Sequence, residues 1–516
     1  MGTGTVSHVI TARFDALDLS GPWEAALDRL DKADAVTRLW DRDHTIVQPD
    51  PEECADRFGW LDVIADSTRR WPEWARLADE LSDEVDHVLV VGMGGSSLFP
   101  EVLAETFDAG DGFPNLSVID TTDPAAVERI AADHPVGSTA YVVSSKSGST
   151  IETRSHLTYL WDRDPDPSHF VVVTDPGSAL EQLARDRGFR HVAHGVPEIG
   201  GRYSALSAFG LVPAALMGLD GTDLLDAADE ASAVLGPDTP VTEHLGCQLG
   251  ALMAVAAQQG RDRLTFLIDE RFATFGLWIE QLIAESTGKH GVGILPVVGE
   301  RADAPDPGSR LYVVLGDGHD GPLPGPSVRL TVEEPADLGA QVFLWEFATA
   351  VAGVVLGINP FDQPDVEAAK KLARSVLDGG GDAPPTPEES SIDAALDLVG
   401  EGDALVVAAF VDPALEPDLQ AARHALGRRA GVPTTLGLGP RFLHSTGQLH
   451  KGGPDRIVMV QVLGTDPTDV GIPGETYTFS QLKHAQADGD LAAVAQAGKR
   501  VVRVPLDELL AAGRTG

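Results

Sequence analysis

Seven consecutive residues, Ser144-Ser145-Lys146-Ser147-Gly148-Ser149-Thr150, set hydroxyls around one lysine directly after the apolar run Ala140-Tyr141-Val142-Val143. A strand that ends in small hydroxyl residues and then opens a helix presents free backbone N–H groups and the positive end of a helix dipole. Hydroxyls add donors and Lys146 adds charge, which suits the turn to a phosphate. The same design occurs upstream, where Val88-Leu89-Val90-Val91 runs into Gly92-Met93-Gly94-Gly95-Ser96-Ser97. Ser96, Ser145, Lys146, Ser147 and Thr150 are the candidate phosphate ligands, with Gly95 beside them as a candidate substrate contact. Helix N-capping alone accounts for one or two such hydroxyls, not for this many. The upstream turn lacks the third glycine of a dinucleotide fingerprint. Two phosphate-type turns without a nucleotide signature point to a phosphorylated small molecule.

The elements that must position these turns follow from periodicity. Short β-branched runs at His87–Val91, Leu116–Asp120, Ala140–Ser144 and Phe170–Thr174 alternate with helical segments. That βαβ series predicts a parallel sheet covered by helices, with ligands at the carboxyl ends of the strands. A second series begins near Val241: a helix over 244–259, a strand at Arg263–Ile268, a helix over 272–286, then strands at 293–297, 311–315 and 328–331. A helix over 341–356 and strands at Ala404–Phe410 and 456–463 complete it. The expected architecture is α/β, two doubly wound domains with parallel sheets flanked by helices. Residues 1–80 form a mostly helical N-terminal segment, 81–240 the first domain with the phosphate turns, and 241–516 the second with C-terminal helices. Gly379-Gly380-Gly381-Asp382-Ala383-Pro384-Pro385-Thr386-Pro387 reads as a loop or linker.

A chain of 516 residues with 43% hydrophobic content can bury a large core. Its net charge of −41 and lack of a basic stripe exclude nucleic acid and an anionic membrane as partners. The acidic residues are scattered, which reads as a solubilising surface, with adaptation to high salt as the alternative. That overall field repels a phosphate, so binding must rely on locally placed cations and N–H groups. The apolar stretch near Gln341–Ile358 is interrupted by Glu346 and reads as a buried helix, not a membrane span. Cys54 and Cys247 follow no metal or redox spacing. The start Met1-Gly2-Thr3-Gly4-Thr5 carries no basic or apolar leader signal, so a cytoplasmic location is expected.

Five motifs in order resemble those of the glucose-6-phosphate isomerase family, whose domains have the sugar-isomerase (SIS) fold. They are Val91-Gly92-Met93-Gly94-Gly95-Ser96-Ser97-Leu98, Ser145–Thr153, Gly200-Gly201-Arg202-Tyr203-Ser204, Gln281-Leu282-Ile283-Ala284-Glu285-Ser286-Thr287-Gly288-Lys289, and Ile358–Glu367 with Lys370. The family's usual Gly-Gln-His is missing between the last two; His319 has roughly suitable spacing but an ordinary loop context. Arg441–Gly453, containing His444 and His450, lies downstream instead. This segment and 345–364 are similar to the isomerase half of bifunctional transaldolase/glucose-6-phosphate isomerase proteins. Gly148 stands where the phosphate loop often has a bulkier residue.

The resemblance implies interconversion of glucose 6-phosphate and fructose 6-phosphate through a cis-enediol, in glycolysis and gluconeogenesis, by a homodimer that requires no metal or organic cofactor. That chemistry needs a base to move a proton between C2 and C1, an acid/base group to open the ring, and a phosphate anchor. Glu285 is the candidate base, with Gln281 on the same helical face as a substrate contact. Arg202, in a Gly-Gly turn, would stabilise the enediolate oxygen. Lys370 would assist ring opening, with Lys371 as its decoy. The ring-opening histidine, donated in the family across a dimer interface, is assigned to His450, with His444 and His319 as alternatives. Competing readings are a broader phosphoglucose/phosphomannose isomerase and a non-catalytic phosphosugar sensor; Glu285 and Lys370 argue against the latter.

Overall fold

The computed structural model describes residues 10–305, 308–377 and 389–515; the side chains at 367–370, 376 and 515 lie outside the described set. The leader reading at Met1–Thr5 and the linker reading at Gly379–Pro387 also fall outside it. The described strands are β1 (Ala12–Asp15), β2 (His87–Val91), β3 (Asn115–Ile119), β4 (Thr139–Ser144), β5 (Phe170–Thr174), β6 (His191–His194), β7 (Arg263–Ile268), β8 (Leu295–Val297), β9 (Arg310–Leu315), β10 (Ser327–Leu330), β11 (Ala404–Phe410), β12 (Thr434–Leu438), β13 (Ile457–Leu463) and β14 (Arg500–Arg503). They pair into three sheets, ordered β3-β2-β4-β5-β6, β1-β10-β9-β7-β8 and β12-β11-β13-β14.

The first sheet is parallel throughout. Its order runs outward from β2 to β3 and then returns across β2 to β4. A crevice therefore opens at the carboxyl ends of β2 and β4, the switch point at which doubly wound folds bind ligands. Both hydroxyl-rich turns lie there. β4 (Thr-Ala-Tyr-Val-Val-Ser) and β5 (Phe-Val-Val-Val-Thr) are buried along their whole length, as continuous apolar runs covered on both faces by helices must be. Each buried valine contributes roughly 1.5–3 kcal/mol in transfer free energy.

Beyond residue 240 the strands divide between two sheets where the sequence suggested a single second one. β7, β8, β9 and β10 run parallel, and β1 from the N-terminal segment closes their edge antiparallel to β10. β11, β12, β13 and β14 form the third sheet, also parallel. Helix Asp337–Leu356 is long and apolar enough to cross a membrane by length and composition, but it is the central helix of the main core, with Trp345, Phe347 and Val351 fully buried. That core joins N-terminal helices, one face of the first sheet and the second sheet, from Ile10 to Phe361.

Two cations, the half-buried Arg441 and the fully buried Lys483, tie the C-terminal portion to the first sheet. Arg441 lies between Asp120 (Nε to Oδ2, 2.7 Å) and Glu101 (Nη1 to Oε1, 3.0 Å). Lys483, fully buried, reaches Asp123 at 2.9 Å and also pairs with Asp466. Removing either cation would leave buried carboxylates unpaired, the costly way to break such a pair.

Candidate active site

The turn after β2 folds tightly because its glycines permit it. Gly94 has φ +55°, a left-handed conformation that favours glycine. A Cβ on Gly95 would stand 1.9 Å from the Gly201 carbonyl oxygen, so the turn is pressed against the turn that carries Arg202. Ser96 is buried within it. The turn after β4 is a web of short-range bonds: Ser145 and Thr150 hydroxyls are 3.2 Å apart, and those of Ser147 and Ser149 2.8 Å. The Gly148 N–H donates to Ser145 Oγ at 3.2 Å. Gly148 has φ +68°, and a Cβ there would meet the Leu180 backbone nitrogen at 2.7 Å. That close packing explains why no bulkier residue stands at 148.

Lys146 departs from the expected geometry. Its ammonium pairs with Asp175 and donates to the carbonyls of Val196 (3.3 Å) and Pro197 (3.2 Å). It fastens the turn to the neighbouring loop, and its charge is already matched.

Glu285 ends helix Phe275–Thr287 beside Gln281, whose Nε2 donates to Glu285 Oε2 at 3.1 Å and to the His444 carbonyl at 2.8 Å. Arg202 Nη1 lies 3.5 Å from Glu285 Oε1. Arg202 is 2% exposed, and four of its five guanidinium N–H donors are engaged: Nε donates to Ser286 Oγ (2.8 Å), Nη1 to Gln363 Oε1 (2.7 Å), and Nη2 to the Pro360 (2.7 Å) and Asp362 (2.9 Å) carbonyls. Thus the Asn-Pro-Phe-Asp-Gln turn wraps the arginine. Lys289, fully buried, pins the same turn through the Asn359 and Asp362 carbonyls, both at 2.7 Å, and Asp362 Oδ1 at 2.6 Å. Burial, and then the nearby Arg202 charge, push the Lys289 ammonium down to about 8.

A cavity of about 410 Å³ opens beside the phosphate turn, lined by Ser147, Ser149, Thr150, Arg374, His444 and Lys451 among others. That volume suits a small-molecule ligand. His444 Nε2 lies 3.0 Å from Glu152 Oε1, which also accepts from Gln486 Nε2 at 2.6 Å. Lys451 lines the cavity but is held by Asp490 at 2.6 Å.

His450, the expected ring-opening histidine, is not among the residues that line the cavity. It sits behind this wall, buried against Phe442 with ring centroids 5.8 Å apart, and its Nδ1 has no hydrogen-bond partner. Burial, and then repulsion from Lys451, push the imidazole down to about 3, so it is neutral at ordinary pH. Six residues along the chain from His444, it faces the core where His444 faces the cavity. His319 lies elsewhere, in the loop held by Arg329 near β10. The backbone of Lys370 belongs to helix Val366–Leu377; its side chain is outside the described residues.

Gly95, Ser96, Arg202, Gln281 and Glu285 are thus brought together at the switch point, with Ser145, Ser147 and Thr150 in the adjacent turn. Glu152, Gln486, Lys451 and Arg374 also line the cavity, and the sequence reading does not single them out. Glu152 stood inside a quoted motif, Ile151-Glu152-Thr153, and could have been found there. Gln486 and Arg374 carry no local signal.

A doubly wound sheet of this order, with anion-type turns on both sides of its switch point, defines a sugar-isomerase fold. The family described as Phosphoglucose isomerase matches residues 70–294 and 313–394, more than half of the chain, and the chain belongs to that family. Among curated relatives, the glucose-6-phosphate isomerase of Synechococcus sp. (strain JA-3-3Ab) is 32% identical over 353 residues, 56% of this chain and 65% of that protein. The match therefore spans slightly less than two thirds of the relative's length. A glucose-6-phosphate isomerase from Chlamydia trachomatis has a similar structure, with a TM-score of 0.60 at 20% identity, covering 72% of this chain and 89% of that one. A hypothetical protein from Thermus thermophilus also scores 0.60, at 24% identity, covering 71% of this chain and all of that one. At these identities the two structures establish the fold.

Proposed function

We propose that the protein is a glucose-6-phosphate isomerase that interconverts glucose 6-phosphate and fructose 6-phosphate through a cis-enediol, in glycolysis and gluconeogenesis. The observation that carries this reading is the Glu285 carboxylate, set 3.5 Å from the buried Arg202 guanidinium at the switch-point crevice. Glu285 takes the proton from C2 and returns it to C1. Arg202, rigid before substrate arrives, stabilises the negative charge that develops on the enediolate oxygen. Gln281 fixes the Glu285 carboxylate.

His444, not His450, is the ring-opening group in this reading. Glu152 orients its imidazole, and Gln486 in turn holds Glu152, the pattern of a general acid/base with a supporting carboxylate. Lys370 assists at the same step, and the substrate phosphate rests on Ser96, Ser145, Ser147 and Thr150. The reading includes a homodimer, which sedimentation would test.

The experiment is turnover of fructose 6-phosphate by the purified protein in EDTA, coupled to glucose-6-phosphate dehydrogenase and read as NADPH absorbance. Metal-independent turnover is expected, with Glu285→Gln losing at least about three orders of magnitude in kcat, or about 4 kcal/mol of transition-state stabilisation. Absence of turnover by the wild-type chain, or near-normal turnover by Glu285→Gln, would overturn the assignment.

A further inference from the structure

A sugar phosphate entering the cavity brings close to two negative charges into a protein whose own net charge is −41. Something cationic has to meet it, and the cations around the cavity differ in how free they are. Lys146, the lysine of the phosphate turn, is paired with Asp175 and two backbone carbonyls. Lys451 is buried and held by Asp490 and the Gly447 carbonyl. His444 is engaged by Glu152. Arg374, in helix Val366–Leu377, lines the same cavity as Ser147, Ser149 and Thr150; its side chain is exposed. Among the described residues it is the lining cation without a carboxylate or carbonyl partner.

We propose that Arg374 is the counter-charge of the substrate phosphate, and that Lys146 instead holds the phosphate turn in shape. The proposal rests on the isomerase reading for its choice of substrate. A planar guanidinium offers two parallel N–H donors to phosphate oxygens, which a saturated lysine cannot do. The turn hydroxyls and helix N–H groups then supply position, and Arg374 supplies charge. Because the contact is to the phosphate and not to C1 or C2, it is made equally in ground and transition states, so it acts on KM and not on kcat.

The test compares Arg374→Gln, Arg374→Lys and Lys371→Gln in the coupled assay, together with competitive inhibition by inorganic phosphate. Lys371→Gln removes the same charge one residue beyond Lys370 on the same helix, without touching the cavity lining. Arg374→Gln is expected to raise KM for fructose 6-phosphate and Ki for inorganic phosphate by roughly ten- to hundredfold, with kcat within about threefold of wild type. Arg374→Lys should recover part of this loss, and Lys371→Gln should leave both constants at their wild-type values. Unchanged KM and Ki in Arg374→Gln, in a wild-type chain that turns over, would overturn the Arg374 role and leave the isomerase reading intact. Equal losses in Arg374→Gln and Lys371→Gln would overturn it too, as a general field effect. If the wild type does not turn over, yet isothermal titration shows inorganic phosphate binding that Arg374→Gln abolishes, the anion site stands and the isomerase reading fails.

Discussion

Gly95→Ala adds a single methyl group where the structure leaves no room for it. The new Cβ would lie 1.9 Å from the Gly201 carbonyl oxygen, 2.4 Å from its carbonyl carbon and 3.2 Å from the Arg202 nitrogen. All three are backbone atoms, so no rotamer change relieves the contact. Ordinary van der Waals separation begins near 3.4 Å, so the two turns must part by about 1.5 Å. One turn carries Ser96 and the other Arg202, which means that phosphate and enediolate contacts separate by that distance. A misplacement of about 1 Å costs on the order of a hundredfold in rate, or about 2.7 kcal/mol. Overpacking should also lower stability by about 1–3 kcal/mol. The coupled assay should therefore show kcat/KM down by at least about a hundredfold, in a protein whose circular dichroism is that of the wild type. Gly200→Ala is the control, because a Cβ there has nothing within 4 Å. Gly95→Ala activity within about threefold of wild type would refute the tight apposition of the turns and the roles built on it.

Three further outcomes follow from the site. His444→Ala should slow turnover of closed-ring substrate while sparing the open-chain form; His450→Leu should shift thermal stability with kcat nearly unchanged, and the opposite pattern would restore His450 as the acid/base. Lys289, pushed down to about 8 by burial first and Arg202 second, loses its proton in the folded state before it does in the unfolded chain. Between pH 8 and the ordinary lysine range the unfolded state binds more protons, so this group's contribution to stability rises with pH. The charge that pairs with Asp362 disappears over the same interval, so kcat/KM should decline above pH 8 without a matching loss from Lys289 in thermal stability. An alkaline limb that is identical in Lys289→Arg would rule Lys289 out as its source.

The strands that sequence patterning located best are those whose residues are covered on both faces. β2, β5, β7 and β11 have the bounds that the sequence reading gives them, each built around a mostly apolar run. β6 (His-Val-Ala-His) and β14 (Arg-Val-Val-Arg) are four-residue strands with polar ends, and β12 (Thr-Thr-Leu-Gly-Leu) has small residues and a glycine; none produces a readable run. β1 is an edge strand taken from a segment otherwise helical, and its partner lies more than three hundred residues away. Residue types at the two turns were informative because anion binding is local chemistry. Pairings were not. Asp175 claims Lys146 across 29 positions, and Glu152 claims His444 across 292. Neither distance has a period, so the sequence offers no sign that Lys146 is already satisfied or that His444 faces the cavity and His450 the core.

The Arg441 brace has a consequence for the chain as it is made. Its guanidinium joins Asp120 across 321 positions and Glu101 across 340. At a synthesis rate of about 5–20 residues per second, roughly 15–65 s pass between emergence of Asp120 and of Arg441. During that interval the first sheet can form, but Glu101 and Asp120 have no guanidinium between them. Burying them as charges is then prohibitive, so both stay hydrated or take up protons. Closure of the cavity wall around His444, three residues beyond Arg441, is thereby deferred until the last sheet arrives.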